Sequence, residues 1–320
     1  MKLRSDCIVC ILDRYAQCVD RETDEDKKAE YLREVMKTLL EAPDDISSPQ
    51  SGVYLGKVYE KYFGKAPETD YSEINRSFDL LMMKEMDKIE AAVRASDEPI
   101  LAAIRYSLAS NYIDYSAVDV KLDELMEIMD NAAKADMDET EYGNLLKDLE
   151  HAKKVLFLHD NCGEIVIDKL LIRLIRERFP QVEVKSCVKG KQAINDATRE
   201  DADLIGMSEV AEVIDTGLGI QGTPMTWVSP SLQQDFLEAD VILSKGQANF
   251  ETCFGCGLNI YYMFLCKCRA FVRLFNVERF SYAFLNDRHL DAFMEENGIR
   301  GEHSFVRYLR EREEEAGKEE

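Results

Sequence analysis

Three short stretches of this chain place oxygen-bearing side chains, glycines and a lysine where they could act on a phosphoryl group. They are Asp160-Asn161-Cys162-Gly163-Glu164, Asn195-Asp196-Ala197-Thr198, and Ser244-Lys245-Gly246-Gln247-Ala248-Asn249-Phe250-Glu251. Carboxylate and amide oxygens are hard ligands that suit Mg²⁺, Mn²⁺, Co²⁺ or Ni²⁺, ions that take a few protein oxygens and leave room for water and substrate phosphate. Asp160, Asn161 and Asp196 can supply such a set. Glycines such as Gly163 and Gly246 let backbone N–H groups approach an anion, and Lys245 adds a fixed positive charge. A metal and a lysine around one phosphoryl group make a hydrolytic site in outline. The plainer reading is that Asp and Asn at strand ends cap helices, that glycine pairs such as Gly217 and Gly219 make turns, and that a lone lysine is a solvated surface group.

The elements that must carry these stretches differ between the two halves. Over residues 1–152 the apolar residues recur at three and four, as Ile8, Ile11, Leu12, Tyr15 and Val19 do, and this predicts an all-helical region. A capping-box-like start at Thr23 with Asp26 opens the second helix, and further helices are expected over 49–63, 71–95, 98–111, 121–134 and 139–152. From residue 153 the pattern changes. Val155-Leu156-Phe157-Leu158 is a short continuous apolar run, as expected of a strand buried on both faces. Strands over 182–188, 210–215, 241–244 and 268–275 alternate with helices, which predicts an α/β/α core with a mainly parallel sheet over residues 153–320, ending in a helical C-terminal extension. The tail after Arg310 reads as frayed helix. In such a sheet ligands bind beyond the carboxyl ends of the strands, where the three stretches fall.

In that order and spacing the three stretches resemble the signature of the damage-control phosphatases, formerly the domain-of-unknown-function family eighty-nine, in their microbial branch. The residues that carry the resemblance are Asp160, Asn161, Gly163, Glu164 and Asp168, then Asn195 to Thr198, then Ser244 to Glu251. The resemblance covers most of residues 1–275. It implies a helical region before an α/β/α core, a divalent metal on Asp160, Asn161 and Asp196, and Lys245 on the phosphate. Gly163, Glu164, Asn195, Thr198, Gly246, Asn249 and Glu251 are then expected around the substrate. The implied activity is hydrolysis of sugar phosphates or damaged phosphometabolites. Attack by water is favoured over an aspartyl-phosphate, because Cys162 stands where haloacid-dehalogenase-type phosphatases place a second Asp.

Two cysteine pairs, Cys7-x-x-Cys10 and Cys253-x-x-Cys256, have the spacing of half a zinc site, with Cys266 and Cys268 nearby. A second metal or redox pair at Cys7 and Cys10 competes with their being small buried hydrophobes. His151, His289 and His303 read as surface residues, and His159 should point away from Asp160 along its strand.

Composition bounds the rest. The 320 residues are 46% hydrophobic, with 62 acidic against 40 basic side chains and a net charge of −22. No basic cluster suits nucleic acid, no run is long enough to span a membrane, and no export signal is visible. Nine cysteines outside any dense framework imply reduced thiols and a cytoplasmic enzyme. The competing function is a methyltransferase-like or nucleotide-binding α/β module, which needs no metal but expects a glycine-rich loop after the first strand. Oligomeric state is open.

Overall fold

The structure is a computed structural model and describes residues 1–65, 70–112 and 139–290, together with 293 and 295. The helix expected over 121–134, the tail after Arg310 and His303 lie outside the described residues.

Helices come first in the chain: α1 (Ser5–Gln17), α2 (Glu25–Glu41), α3 (Ser48–Phe63), α4 (Ser72–Arg94), α5 (Pro99–Ser110) and α6 (Glu139–His151). The cap of α2 is Asp24, whose side chain accepts from Lys27 N at 3.1 Å, so the expected start at Thr23 moves by one residue. Then β1 (Lys154–Leu158), α7 (Glu164–Arg178), β2 (Glu183–Val188), α8 (Arg199–Leu204), β3 (Glu212–Asp215), α9 (Pro230–Glu238), β4 (Val241–Lys245), α10 (Gln247–Cys253), β5 (Ile260–Leu265), α11 (Arg269–Phe275) and β6 (Tyr282–Asn286) follow.

The strands form one six-stranded sheet in the order β3-β2-β1-β4-β5-β6. Neighbours are parallel from β3 through β5, and β6 joins β5 antiparallel. The chain winds outward from β1 through β2 to β3, then returns to the other side of β1 to lay down β4. The switch point therefore lies between β1 and β4, and in this architecture the crevice opens there.

Side chains alternate between two cores. Val155 and Phe157 of β1, with Val241 and Leu243 of β4, face a core built by α4 to α7. Leu156, Leu158 and Ile242 face the opposite one, with Leu232 and Phe236 of α9 and Phe250 of α10. Ten of the twelve residues of α5 are buried, so this helix shares the core of the sheet. Helices α1 to α3 form a third cluster around Tyr31, Val35 and Leu55.

The fifth strand corrects the sequence reading. CRAFVRLF was expected to be a strand, but Arg269–Phe275 is helix α11, with Ala270, Phe271 and Leu274 buried at helical spacing. The strand is Ile260–Leu265, buried at every position. The stretch expected to be only a helical extension also contributes β6, which covers the edge of β5. Capping an edge satisfies its backbone groups and blocks further pairing.

Candidate active site

The register of β1 between β2 and β4 sets Leu158 opposite Cys187 and Ser244, so the residues that follow leave the sheet side by side. Asp160 comes from β1, Gly246 from β4 and the Asn195-Asp196 turn from the loop after β2. Ala197 N donates to Asp160 O at 2.8 Å and Cys162 N to Asn195 O at 2.9 Å, and Asn161 and Asp196 form an isolated bridge. The first two stretches are thus stitched together by backbone bonds.

Their side chains are almost wholly buried. Asp160 is 8% exposed, Asn161 5% and Asp196 0%. Two amides, Asn111 Nδ2 and Asn161 Nδ2, each donate to Asp160 Oδ2 at 2.9 Å. Asn195 Nδ2 donates to Asn161 Oδ1 at 2.8 Å, which leaves that oxygen a second lone pair. Asp196 is different: neither carboxylate oxygen has a hydrogen-bond partner, and its nearest cation is Lys189, at 3.4 Å. Burial pushes the Asp196 carboxyl up to about 8, against the pull of Lys189 and with the help of Asp160. Burial and the neighbouring Glu164 push Asp160 up to about 6. Two buried carboxylates that resist ionisation together are short of positive charge.

This donor set fits a hard divalent cation. Among the described residues no three His, Cys, Asp or Glu side chains come together to hold a metal ion, so the third protein donor here is an amide. A cation here would draw on the carboxylates of Asp160 and Asp196 and the amide oxygen of Asn161, with water or substrate oxygens completing its shell.

Lys245 does not reach this space. It is fully buried, and its Nζ donates to Ser107 O at 3.0 Å, to Glu164 and to Asp168 Oδ1 at 3.3 Å. Burial opposes its charge, but Asp168 and Glu164 outweigh that and raise its pKa. Burial likewise opposes the charge of Asp168, while Lys245 and hydrogen bonds from His159 and Ser107 hold its carboxyl below the ordinary range. His159, also buried, spans Asp168 at 2.9 Å and Ser186 at 2.8 Å, directed into the core. Glu164 accepts from Asn111 at 2.9 Å and Asn161 at 3.0 Å, which makes it the link from Lys245 to the site.

Of the other expected substrate contacts, three are engaged within the protein. Gly163 N donates to Asp79, Thr198 caps α8 with Asp201, and Asn249 Nδ2 donates to His159 O at 3.1 Å and Lys245 O at 2.8 Å. Cys162 is buried and its thiol pKa is raised by burial, so it offers no acid.

A cleft of about 1190 Å³ opens over the site. Asp160 and Asn161 line its floor, together with Gln221, Gln247, Glu251 and Lys267, and residues of α1 and α3 form the opposite wall. Burial pushes Glu251 up to about 7. Lys267, like Lys57 of α3, lines the cleft, and its charge favours the ionised form of Asp160. Sequence reading missed it because the misplaced fifth strand hid the loop that carries it.

The cysteine pair lies elsewhere. Cys7 is buried in the second core beside Cys253, Cys256 and Cys266, and Cys10 is exposed. Burial raises the Cys7 thiol pKa, as for a small core hydrophobe.

Fold and site together define a doubly wound α/β protein with an acidic, hard-ligand pocket at its topological switch point. The chain belongs to the damage-control phosphatase ARMT1-like domain family, whose model matches residues 3–282. It is 28% identical over 282 residues to a damage-control phosphatase of Pyrococcus horikoshii, covering 87% of this chain and 96% of that protein. A damage-control phosphatase of Archaeoglobus fulgidus is 29% identical over 286 residues, covering 85% and 95%. An uncharacterized protein of Methanocaldococcus jannaschii is 26% identical over 279 residues, covering 84% and 90%. The crystal structure of a DUF89 family protein from Pyrococcus horikoshii superposes with a TM-score of 0.71 at 27% identity, over 90% of this chain and 99% of that one. No helix among the described residues is long and apolar enough to cross a membrane.

Proposed function

We propose that this chain is a metal-dependent phosphatase of small phosphorylated metabolites, sugar phosphates or damaged phosphometabolites among them. The observation that carries the reading is Asp196, a carboxylate wholly removed from water, with no hydrogen bond to either oxygen and only Lys189, at 3.4 Å, against its charge, set beside a second buried carboxylate at the switch point. Two buried carboxylates beside a single lysine are costly to ionise, and a divalent ion shared with Asp160 and Asn161 removes the cost. Mn²⁺, Co²⁺, Ni²⁺ and Mg²⁺ suit the oxygen donors. Such an ion, when bound, supplies charge neutralisation for the phosphoryl group and activation of the attacking water.

The chain's own residues divide the remaining work. Lys267 faces the cleft and holds a phosphoryl oxygen. Asn111 and Asn161 fix the rotamer of Asp160 through Oδ2, leaving Oδ1 clear of both amides. Lys245 balances Glu164 and Asp168 from below and thereby keeps those amides in place. Water attack is favoured over an aspartyl intermediate, because no second acid stands at position 162. The methyltransferase-like alternative lacks support, since the loop after β1 carries buried carboxylates where a methyl donor's glycine-rich loop would run.

The test is a phosphatase screen of the purified chain over sugar phosphates and other metabolite phosphates. Exhaustive chelation should abolish turnover and one of the four ions should restore it. Undiminished hydrolysis after chelation and dialysis would refute the metal assignment.

A further inference from the structure

Helix α3 carries two glycines, Gly52 and Gly56, one turn apart on the wall of the cleft facing the site. Both have ordinary helical backbone, and a β-carbon added at either meets nothing within 4 Å. Neither a turn, a left-handed φ nor a neighbouring side chain requires glycine there. Each nevertheless weakens the helix relative to alanine, because glycine loses more backbone freedom on folding. The space above them belongs to the cleft. Two half-buried aromatics, Tyr15 and Tyr59, line the same cleft, and the Tyr15 hydroxyl donates to Gly52 O at 3.4 Å. At about 1190 Å³ the cleft also exceeds what a compact phosphosugar fills, since pockets of about 300–1,000 Å³ hold drug-sized ligands.

We infer that the Gly52–Gly56 face of α3 is the subsite for the non-phosphate body of the substrate, and that the preferred substrates are phosphate esters with an extended, largely apolar body. The inference rests on the phosphatase reading of the site. The phosphate sits at Asp160, Asn161 and Lys267, and the body crosses the cleft to lie on bare helix backbone beside Tyr15 and Tyr59. Gly52 and Gly56 are specificity-determining residues, and they take no part in bond cleavage.

The test uses the full chain and a homologous series of n-alkyl phosphates of increasing length, with the matching non-hydrolysable n-alkyl phosphonates. In the wild type, kcat/KM should rise with chain length and then level off, and phosphonate affinity by calorimetry should follow the same curve. The Gly52→Ala/Gly56→Ala variant should unfold at the same or a higher temperature, since alanine favours an open helical position. Its KM for the longest esters should rise about tenfold, the scale set by one methylene in a tight apolar pocket, with kcat and the shortest esters unaffected. A wild type indifferent to chain length overturns the inference, as does a variant that loses all lengths equally or none. Failure of every ester to hydrolyse would count against the phosphatase reading alone. Length-dependent phosphonate binding that the variant loses would still support the subsite.

Discussion

The carboxyl group of Asp160 occupies the space that a β-carbon at position 246 would need. Gly246 has φ +82°, a conformation side chains rarely adopt, and its N–H donates to Met263 O at 2.9 Å. The ends of β1 and β4 therefore approach as closely as they do only because residue 246 has no side chain. Gly246→Ala should cost about 1–3 kcal/mol in chemical denaturation from the backbone alone. It should also displace Asp160 and lose divalent-ion binding by calorimetry. Unchanged ion affinity in a folded Gly246→Ala protein would separate Asp160 from the proposed metal.

Asp196 yields a prediction in which stability and function move in opposite directions. Burial outweighs Lys189 and holds the Asp196 carboxyl up at about 8, so its charge burdens the metal-free fold near neutral pH and the neutral Asp196→Asn should raise the unfolding temperature of chelated protein. The same change should remove the stabilisation that Mn²⁺ gives the wild type, which follows from preferential binding to the folded state. Thermal unfolding with and without Mn²⁺ checks both. A variant that Mn²⁺ still stabilises fully would show that the ion does not need Asp196.

The two lysines should behave differently. Lys245→Met leaves Glu164 and Asp168 buried without their cation, and breaking such a group by removing one partner costs about 3–5 kcal/mol. Adding Glu164→Gln should recover part of that loss. Lys267→Met should lower kcat/KM by about 10²–10³, the scale of losing one well-placed donor to a reacting oxygen, with a smaller loss of stability than Lys245→Met. Denaturation midpoints and steady-state kinetics on the three proteins distinguish the roles. Normal stability in Lys245→Met would contradict its place as a buried counter-ion.

Thiol labelling tests the cysteine assignment. In native protein Cys10 and Cys18, both exposed, should react with iodoacetamide, while Cys7 should react only after unfolding. Metal analysis of the Cys7→Ser/Cys10→Ser variant should show the same zinc content as the wild type. Stoichiometric zinc lost in that variant would restore the metal reading of the pair.

Much of this protein is determined locally. The apolar run Val155 to Leu158 can be little other than a buried strand, and helices between such runs force parallel pairing, which sends Asp160, Asp196 and Gly246 to one edge whatever the strand order. Their oxygen chemistry is legible for the same reason, since residue type and strand-end position suffice. Other features are not local. The run from Ile260 to Phe275 is apolar almost throughout and has no clear period, so a strand and the helix after it cannot be divided by pattern alone. Lys267 was lost in that ambiguity. Lys245 looks like a phosphate ligand in sequence, yet Ser107 of α5, 138 positions earlier, closes over it. Which lysine faces water is decided by the packing of α5 against the sheet. Burial depends on what the whole chain lays over a residue, and no local spacing of residues records that.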